Sequence, residues 1–260
     1  MRAEARRLKA KPARKAAGQP IYQRVRDDIA ARIDRGQYAA NQQLPSERDL
    51  SESVAISRMT ARQVYVTLQQ DGLIYRSNRR GWFVSPPRLN YALTRSVSFL
   101  TNVQAEGGTP LVKVLHTETA KPDPWVGDKL GLGRTGRIHA VRRLLSIGEQ
   151  PAMIDIIYTS AARFPDFFEN RMDQSLTRLW QERYGIDITR AEVTIRAAAL
   201  SAGDAEALQV KPEAAGIQVR QVMVGHDGKP VAVNFQNWRI DVAEFTIEAQ
   251  FPRPEGQAHG

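Results

Sequence analysis

The spacing of apolar residues predicts three short helices in the first third of the chain. In the first, apolar side chains recur every fourth residue after Pro20, at Ile21, Val25, Ile29 and Ile33. Ser46 with Asp49 three residues later forms a capping-box signature that starts a second helix. We expect Leu50 and Val54 to lie on one face of that helix, and residues 53–56 to form a turn.

The third predicted helix starts at Ser57 and carries a buried stripe on one side only, formed by Ala61, Val64 and Leu68. Asp71-Gly72 ends it, because glycine can adopt a positive φ. Residues 73–75 and 82–84 read as two strands joined by an arginine-rich tip. This order of elements predicts a winged helix-turn-helix.

After Pro86-Pro87 the pattern changes to strands that alternate with short helices. The rest of the predicted fold is α+β, with two antiparallel hairpins at 137–158 and 216–240. The other predicted elements are helices at 98–106, 124–130, 172–184 and 204–208, and strands at 111–119 and 192–197. We therefore predict a basic arm (1–19), a winged domain (20–85), a linker (86–95), a second domain (96–250) and a tail (251–260).

Charge separates the two domains more clearly than the total of +9 does. Residues 1–85 hold 17 Lys and Arg against 8 Asp and Glu, whereas residues 86–260 hold 20 of each. Only the first part is therefore expected to meet a polyanion. The chain has no cysteine, and no apolar run reaches the ~18 residues of a membrane helix. We expect a cytoplasmic protein without a membrane partner.

Arg58, Thr60 and Arg62 fall outside the buried stripe, near the start of the third helix, where a recognition helix meets base edges. The segments LPSERDL, SRMTAR, DGLI and RGWFV, in this order, resemble the GntR family of bacterial transcription regulators. The resemblance implies contacts with a double-stranded DNA operator. The residues so implicated are Arg48, Arg58, Thr60, Arg62 and Gly81, and the capping Ser57 and the tip arginines Arg79 and Arg80 complete the predicted DNA-binding set.

The second domain is similar to the UTRA effector-binding domain of the HutC branch, a fold related to chorismate lyase. The segments that carry this likeness are VRRLLSIGEQPAMIDIIY, RFPDF, RYGIDITRAEVTIRA and HDGKPVAVNFQNWRID. The resemblance implies an effector pocket between the two hairpins, lined by Arg143, Asp155, Tyr158, Arg196 and Asn234. Many members carry a second arginine where Leu145 stands, so a doubly charged phosphate ligand is less favoured here.

Each effector residue also has a structural interpretation. Arg143 can simply pair with Asp155 across the hairpin, Arg196 can be a solvated side chain, and Tyr158 can be a core residue. The four histidines lack metal-ligand spacing, and we expect no cofactor, metal site or catalytic residues.

The resemblance thus predicts a homodimeric regulator, with repression as its default output, that answers to a small anionic or zwitterionic metabolite. The alternatives are an architectural DNA binder with a ligand-free second domain and an enzyme of the chorismate lyase kind.

Overall fold

The computed structural model describes residues 19–77, 80–93 and 98–248. Its N-terminal domain packs three helices against a two-stranded antiparallel ribbon. Apolar side chains from all three helices and both strands form one core, as the sequence pattern predicts. These elements are α1 (Ile21–Asp34), α2 (Glu47–Ser53), α3 (Arg58–Gln70), β1 (Ile74–Ser77) and β2 (Gly81–Val84).

Two predicted caps fix where α2 and α3 begin. The Ser46 hydroxyl accepts a hydrogen bond from the Asp49 backbone N–H, and the Asp49 carboxylate accepts one from the Ser46 N–H, both at 3.2 Å. The Ser57 hydroxyl accepts from the Thr60 N–H at 3.0 Å. The predicted place of Val54 on the same helix face as Leu50 is wrong: Val54 lies beyond the end of α2 and is 40% exposed, because the chain already turns there.

The C-terminal domain is built on one six-stranded antiparallel sheet with the strand order β4-β5-β6-β9-β8-β7. The two predicted hairpins, β5–β6 and β8–β9, lie side by side at its centre. This confirms the α+β class. The strands are β4 (Pro110–Ala120), β5 (Ile138–Ile147), β6 (Gln150–Ser160), β7 (Ile188–Ala199), β8 (Ala215–Gly225) and β9 (Pro230–Arg239).

Helices cover both faces of this sheet. The first face packs against α4 (Phe99–Ala105), a 3-10 helix (Phe167–Glu169) and α6 (Leu176–Tyr184), and it forms the larger apolar core. The opposite face packs against α5 (Pro124–Lys129) and α7 (Ala202–Ala207). Because side chains alternate along a strand, the register assigns each strand residue to one of these faces.

The segment predicted as a linker contains a strand. In the structure, β3 (Leu89–Ala92) pairs in parallel with β10 (Ala243–Thr246), about 150 residues away in the chain. Tyr91 of this strand is fully buried and packs edge-on against Trp238 at a ring distance of 4.9 Å. The two prolines before β3 suggested a short stiff link, and a partner so distant in sequence leaves no local signal.

The predicted helix at 172–184 begins later than the apolar pattern indicated. Ser175 accepts from the Arg178 N–H, so it caps α6 and sets its first residue at Leu176. Residues 172–174 are not helical. Their backbone carbonyls are therefore free to bind a side chain elsewhere in the domain.

The two domains touch along the side of α3 and the wing. Gln69 Nε2 donates to the Gln209 carbonyl at 3.4 Å, and Arg80 of the wing forms an ion pair with Glu149 at the tip of the β5–β6 hairpin. Gly72 lies against Asp241, so that a Cβ placed there would stand 2.9 Å from the Asp241 Cβ. The absence of a side chain at Gly72 therefore permits this approach.

Gly72→Ala tests this contact, with Gly36→Ala as its matched control. Both glycines end a helix with a φ near +70°, but nothing lies within 4 Å of a Cβ at Gly36. The positive φ alone should cost about 1 kcal/mol in each variant. We expect Gly72→Ala to lower the melting temperature further in calorimetry of the full chain. Equal losses in the two variants would contradict a close domain contact.

Candidate DNA-binding and effector sites

The first site is the exposed beginning of α3. Arg58 and Arg62 are exposed there, while Ala61, Val64 and Leu68 on the other side of the helix are completely buried. Within the described residues, neither arginine side chain forms a hydrogen bond or an ion pair. Both guanidinium groups are therefore available to a ligand outside the chain.

Neighbouring contacts hold this helix in position. The Tyr65 hydroxyl donates to the Pro45 carbonyl at 2.7 Å and ties α3 to the start of α2. The Ser57 and Thr60 hydroxyls lie 2.8 Å apart at the N-terminus of α3. Arg48 on α2 is exposed and pairs with Glu52 at 2.9 Å, a surface contact that a phosphate can replace at little cost.

The sequence prediction missed Met59. Its side chain is 72% exposed between Arg58 and Thr60, and it is the most exposed large apolar residue in the described part of the chain. An apolar side chain at this position can contact the methyl group of thymine. Its place outside the buried stripe was the available signal.

The wing supplies further positive charge. Arg76 stacks on Trp82 and Arg80 on Phe83, with guanidinium-to-ring distances of 5.7 and 5.4 Å. Gly81 has φ +102°, a backbone conformation that favours glycine. Arg79 lies outside the described residues. The pairing of Arg80 with Glu149 means that, in this arrangement, Arg80 is engaged by the second domain and not free.

The second site is a buried ion pair between the strands of the first hairpin. Arg143 donates from Nε and Nη2 to Asp155 Oδ2, at 2.9 and 2.5 Å. Its Nη1 donates to the carbonyls of Met172 at 3.2 Å and Gln174 at 2.8 Å. The pairing that the sequence analysis considered for these two residues is thus observed, and the pair also fixes the chain just before α6.

A series of side-chain hydrogen bonds continues from this pair along β9. Asn234 Nδ2 donates to Asp155 Oδ1 at 2.6 Å, and Gln236 Nε2 donates to Asn234 Oδ1 at 2.9 Å. Trp238 Nε1 then donates to Gln236 Oε1 at 3.0 Å. Gln236 also hydrogen-bonds Tyr91 of β3, the pKa of which is raised by burial. The network therefore extends from the first hairpin to β3.

A small cavity and an open groove adjoin this network. The cavity has a volume of about 30 Å³, enough for one small group, and Arg143, Asp155 and Asn234 lie in its wall with Trp180. The groove, of about 480 Å³, runs between α4 and α6 and shares Ser98, Leu100, Ser175 and Thr177 with the cavity. Three of the five predicted effector residues are thus brought together.

The other two predicted effector residues lie elsewhere. Tyr158 is three positions after Asp155 on β6 and therefore points to the opposite face, where it packs edge-on against Phe235. Arg196 is on that face too, exposed, and donates to Gln218 at 2.8 Å. The expectation that both residues share a pocket with Arg143 is therefore wrong. The alternation of side chains along a strand places them on the opposite face of the sheet.

The described residues contain neither a metal-binding cluster nor a membrane-spanning helix. In these residues, no three His, Asp or Glu side chains are grouped to hold a metal ion. None of the described helices is long and apolar enough to cross a membrane.

Comparison with known families assigns both domains. Residues 21–84 match the gntR family of bacterial regulatory proteins, and residues 105–244 match the UTRA domain. The second match alone covers more than half of the chain. The chain therefore belongs to the GntR family of transcription regulators and carries a UTRA effector-binding domain behind its winged helix-turn-helix.

Relatives of similar length carry regulator names. The transcriptional repressor NagR of Bacillus subtilis is 26% identical over 209 residues, which cover 80% of this chain and 86% of that protein. A probable fructoselysine utilization operon repressor of Shigella flexneri is 27% identical over 229 residues, covering 88% and 92%.

Solved structures agree with the fold. PhnF from Mycobacterium smegmatis superposes with a TM-score of 0.62 at 22% identity, over 87% of this chain and 99% of that one. YydK from Bacillus subtilis gives a TM-score of 0.54 at 19% identity, over 89% and 100%. Both likenesses span the two domains.

Arg62→Ala tests base recognition by α3. Loss of a two-pronged base contact should cost about 1–3 kcal/mol on the operator, and much less on random DNA. Fluorescence anisotropy with both DNAs at fixed salt measures this difference, and Arg190→Ala, an exposed arginine on β7, is the control. Equal losses on both DNAs would limit Arg62 to phosphate contact.

Glu149→Gln tests whether the second domain competes with DNA for Arg80. Removing the carboxylate should tighten DNA binding by up to about fivefold and steepen the salt dependence by about one charge. Glu244→Gln, which loses an exposed carboxylate paired with Arg88, is the matched control. If both variants bind alike, the Arg80–Glu149 pair has no effect on DNA binding.

Proposed function

We propose that this protein is a cytoplasmic repressor that binds a palindromic operator as a homodimer and leaves it when a small metabolite binds the C-terminal domain. The observation that carries the proposal is the presence of two surfaces with available polar groups in one chain. One is the free arginine pair on α3; the other is the polar cavity and groove beside Arg143 and Asp155.

Dimerisation is proposed from the geometry of DNA. A single recognition helix reads one half-site, and two-fold proteins place two such helices one helical turn apart on palindromic DNA. Repression is proposed from the names of the relatives, of which NagR and the fructoselysine operon protein are described as repressors.

The proposed sensor acts through domain contacts. An effector shifts the protein between two arrangements only by its difference in affinity for them. The β5–β6 hairpin carries Arg143 and Asp155 at its centre and Glu149 at its tip, which touches the wing. A ligand in the cavity would therefore lie beside the β5–β6 hairpin, which contacts the DNA-binding domain.

The two alternative functions predict different experimental results. An architectural DNA binder would bind many sequences with similar affinity and show no ligand-dependent stability. An enzyme of the lyase kind would turn over its ligand, and the buried pair offers it little, because Asp155 is already held by Arg143 and Asn234.

Selection of binding sites from random DNA tests the DNA-binding part of the proposal. We expect the full chain to enrich a palindrome with two half-sites, and sedimentation to give two chains per duplex. A single half-site bound by one chain would overturn the dimer. No enriched sequence would favour the architectural alternative.

A thermal-shift screen against small polar metabolites tests the sensor. A ligand at 100 times its dissociation constant should stabilise the protein by about 2.7 kcal/mol. We expect the same ligand to release the selected operator in an anisotropy titration. A ligand that stabilises the protein without releasing DNA would contradict its role as an inducer.

A further inference from the structure

The charged side chains that line the effector cavity and its groove are paired. Among the described residues in these walls, the only ionised side chains are Arg143, Asp155, Arg178 and Glu182. Arg143 is bound to Asp155, and Arg178 Nε donates to Glu182 at 2.6 Å. The site therefore carries no net charge from its own described residues.

The pair at the cavity floor has little binding capacity left. Arg143 has five N–H donors, and four of them are directed at Asp155 Oδ2 and at the carbonyls of residues 172 and 174. Asp155 Oδ2 accepts two of these bonds, while Oδ1 accepts only the one from Asn234. One donor of Arg143 and one lone pair of Asp155 remain.

α6 adds further donors to the cavity wall, through Leu176, Thr177 and Trp180. The backbone N–H groups of Leu176 and Thr177 belong to the first turn, where no carbonyl of the helix can accept from them. Trp180 on the same helix is fully buried in the cavity wall, and its Nε1–H has no hydrogen-bond partner among the described residues. A buried donor without an acceptor costs free energy, so an acceptor group of a ligand would be stabilised here.

Hydroxyls and amides make up the remaining polar lining. Thr101 and Gln104 on α4 face Gln174, Thr177 and Gln181 across the groove. These groups donate and accept equally well and carry no charge.

We propose that the effector is a small polar molecule of zero net charge, with an acceptor group at the N-terminus of α6 and a donor group directed at Asp155. An amino acid zwitterion is the simplest such molecule. This inference rests on the proposed function and specifies the ligand of that same site.

The physical reason is the cost of burying unbalanced charge. A zwitterion brings one charge of each sign to a site that is itself balanced, so that each end meets its complement. A dianionic phosphate would bring two negative charges to a guanidinium that Asp155 already neutralises. The site should therefore reject phosphorylated ligands in favour of their uncharged forms.

The test is a calorimetric titration of the full chain with matched ligand sets. One set is the amino acids with their N-acetyl and amide derivatives, which carry net charges of −1 and +1. The other set is monosaccharides with their 6-phosphates. We expect binding by members of zero net charge, and binding weaker by about tenfold or more for the charged partner of each.

Thr177→Val tests whether the ligand binds in the cavity and groove. It distinguishes this site from nonspecific binding of an anion to the basic N-terminal domain. It removes a hydroxyl shared by cavity and groove, and we expect about tenfold weaker ligand binding with operator affinity unchanged. Thr194→Val, on the opposite face of the sheet, is the matched control and should bind ligand normally. Binding that Thr177→Val does not weaken lies elsewhere and overturns the assignment of the site.

Asp155→Asn removes one negative charge, so that the site becomes positively charged, with almost no change in the shape of the side chain. With Arg143 no longer neutralised, the variant should favour the N-acetyl or phosphate member of a set over its uncharged partner. An unchanged preference would overturn the charge argument. Circular dichroism checks that the variant folds, and if it does not, the ligand sets and Thr177→Val decide alone.

The outcomes separate the two proposals. If a phosphate or another anion binds in a Thr177-dependent way and releases the operator, the proposed function stands and the ligand class is wrong. If no member of either set binds, and the operator complex is insensitive to all of them, both the ligand class and the sensor role are overturned.

Discussion

The buried ion pair between Arg143 and Asp155 determines the arrangement of the C-terminal domain. A guanidinium in the interior must have its donors satisfied, and here one carboxylate and two backbone carbonyls do so. The carbonyls come from residues 172 and 174, just before Ser175 caps α6. The pair therefore joins the central hairpin to the start of α6 and sets the position of the groove. Removing Asp155 alone would leave a buried cation, whereas the intact pair is balanced.

The same interaction extends to the segment that joins the domains. Asn234 and Gln236 continue the hydrogen-bond network from Asp155 to Tyr91 on β3. β3 follows the wing after only four residues, 85–88. The hairpin tip makes a second connection through Glu149 and Arg80. The cavity beside Arg143 is thus linked to the DNA-binding domain by a buried polar network and by an exposed ion pair. Salt screens the buried link much less than the exposed one, which weakens as salt rises.

The limits of the sequence prediction follow from the range of the interactions involved. Caps, helix stripes and hairpins depend on residues within a few positions of one another, and Ser46, Ser57 and the β5–β6 turn were placed correctly. The pairing of β3 with β10 joins residues about 150 positions apart, and the prolines before β3 suggested a linker instead. Tyr158 and Arg196 were grouped with Arg143 by resemblance to a family. The alternation of side chains along a strand already placed Tyr158 and Asp155 on different faces of the sheet.

The sequence by itself determined the class of protein: a basic winged domain with Arg58 and Arg62 off its buried stripe, joined to a neutral domain of two hairpins. These features are local patterns of charge and hydrophobicity. Only the tertiary structure decided which polar residues share a cavity and whether their charges cancel. The sequence left open whether Arg143 contacts a ligand or pairs with Asp155. It is neutralised because the register of β5 and β6 places Asp155 directly beside it. Burial then makes that pairing obligatory, since neither charge can be left in the interior alone.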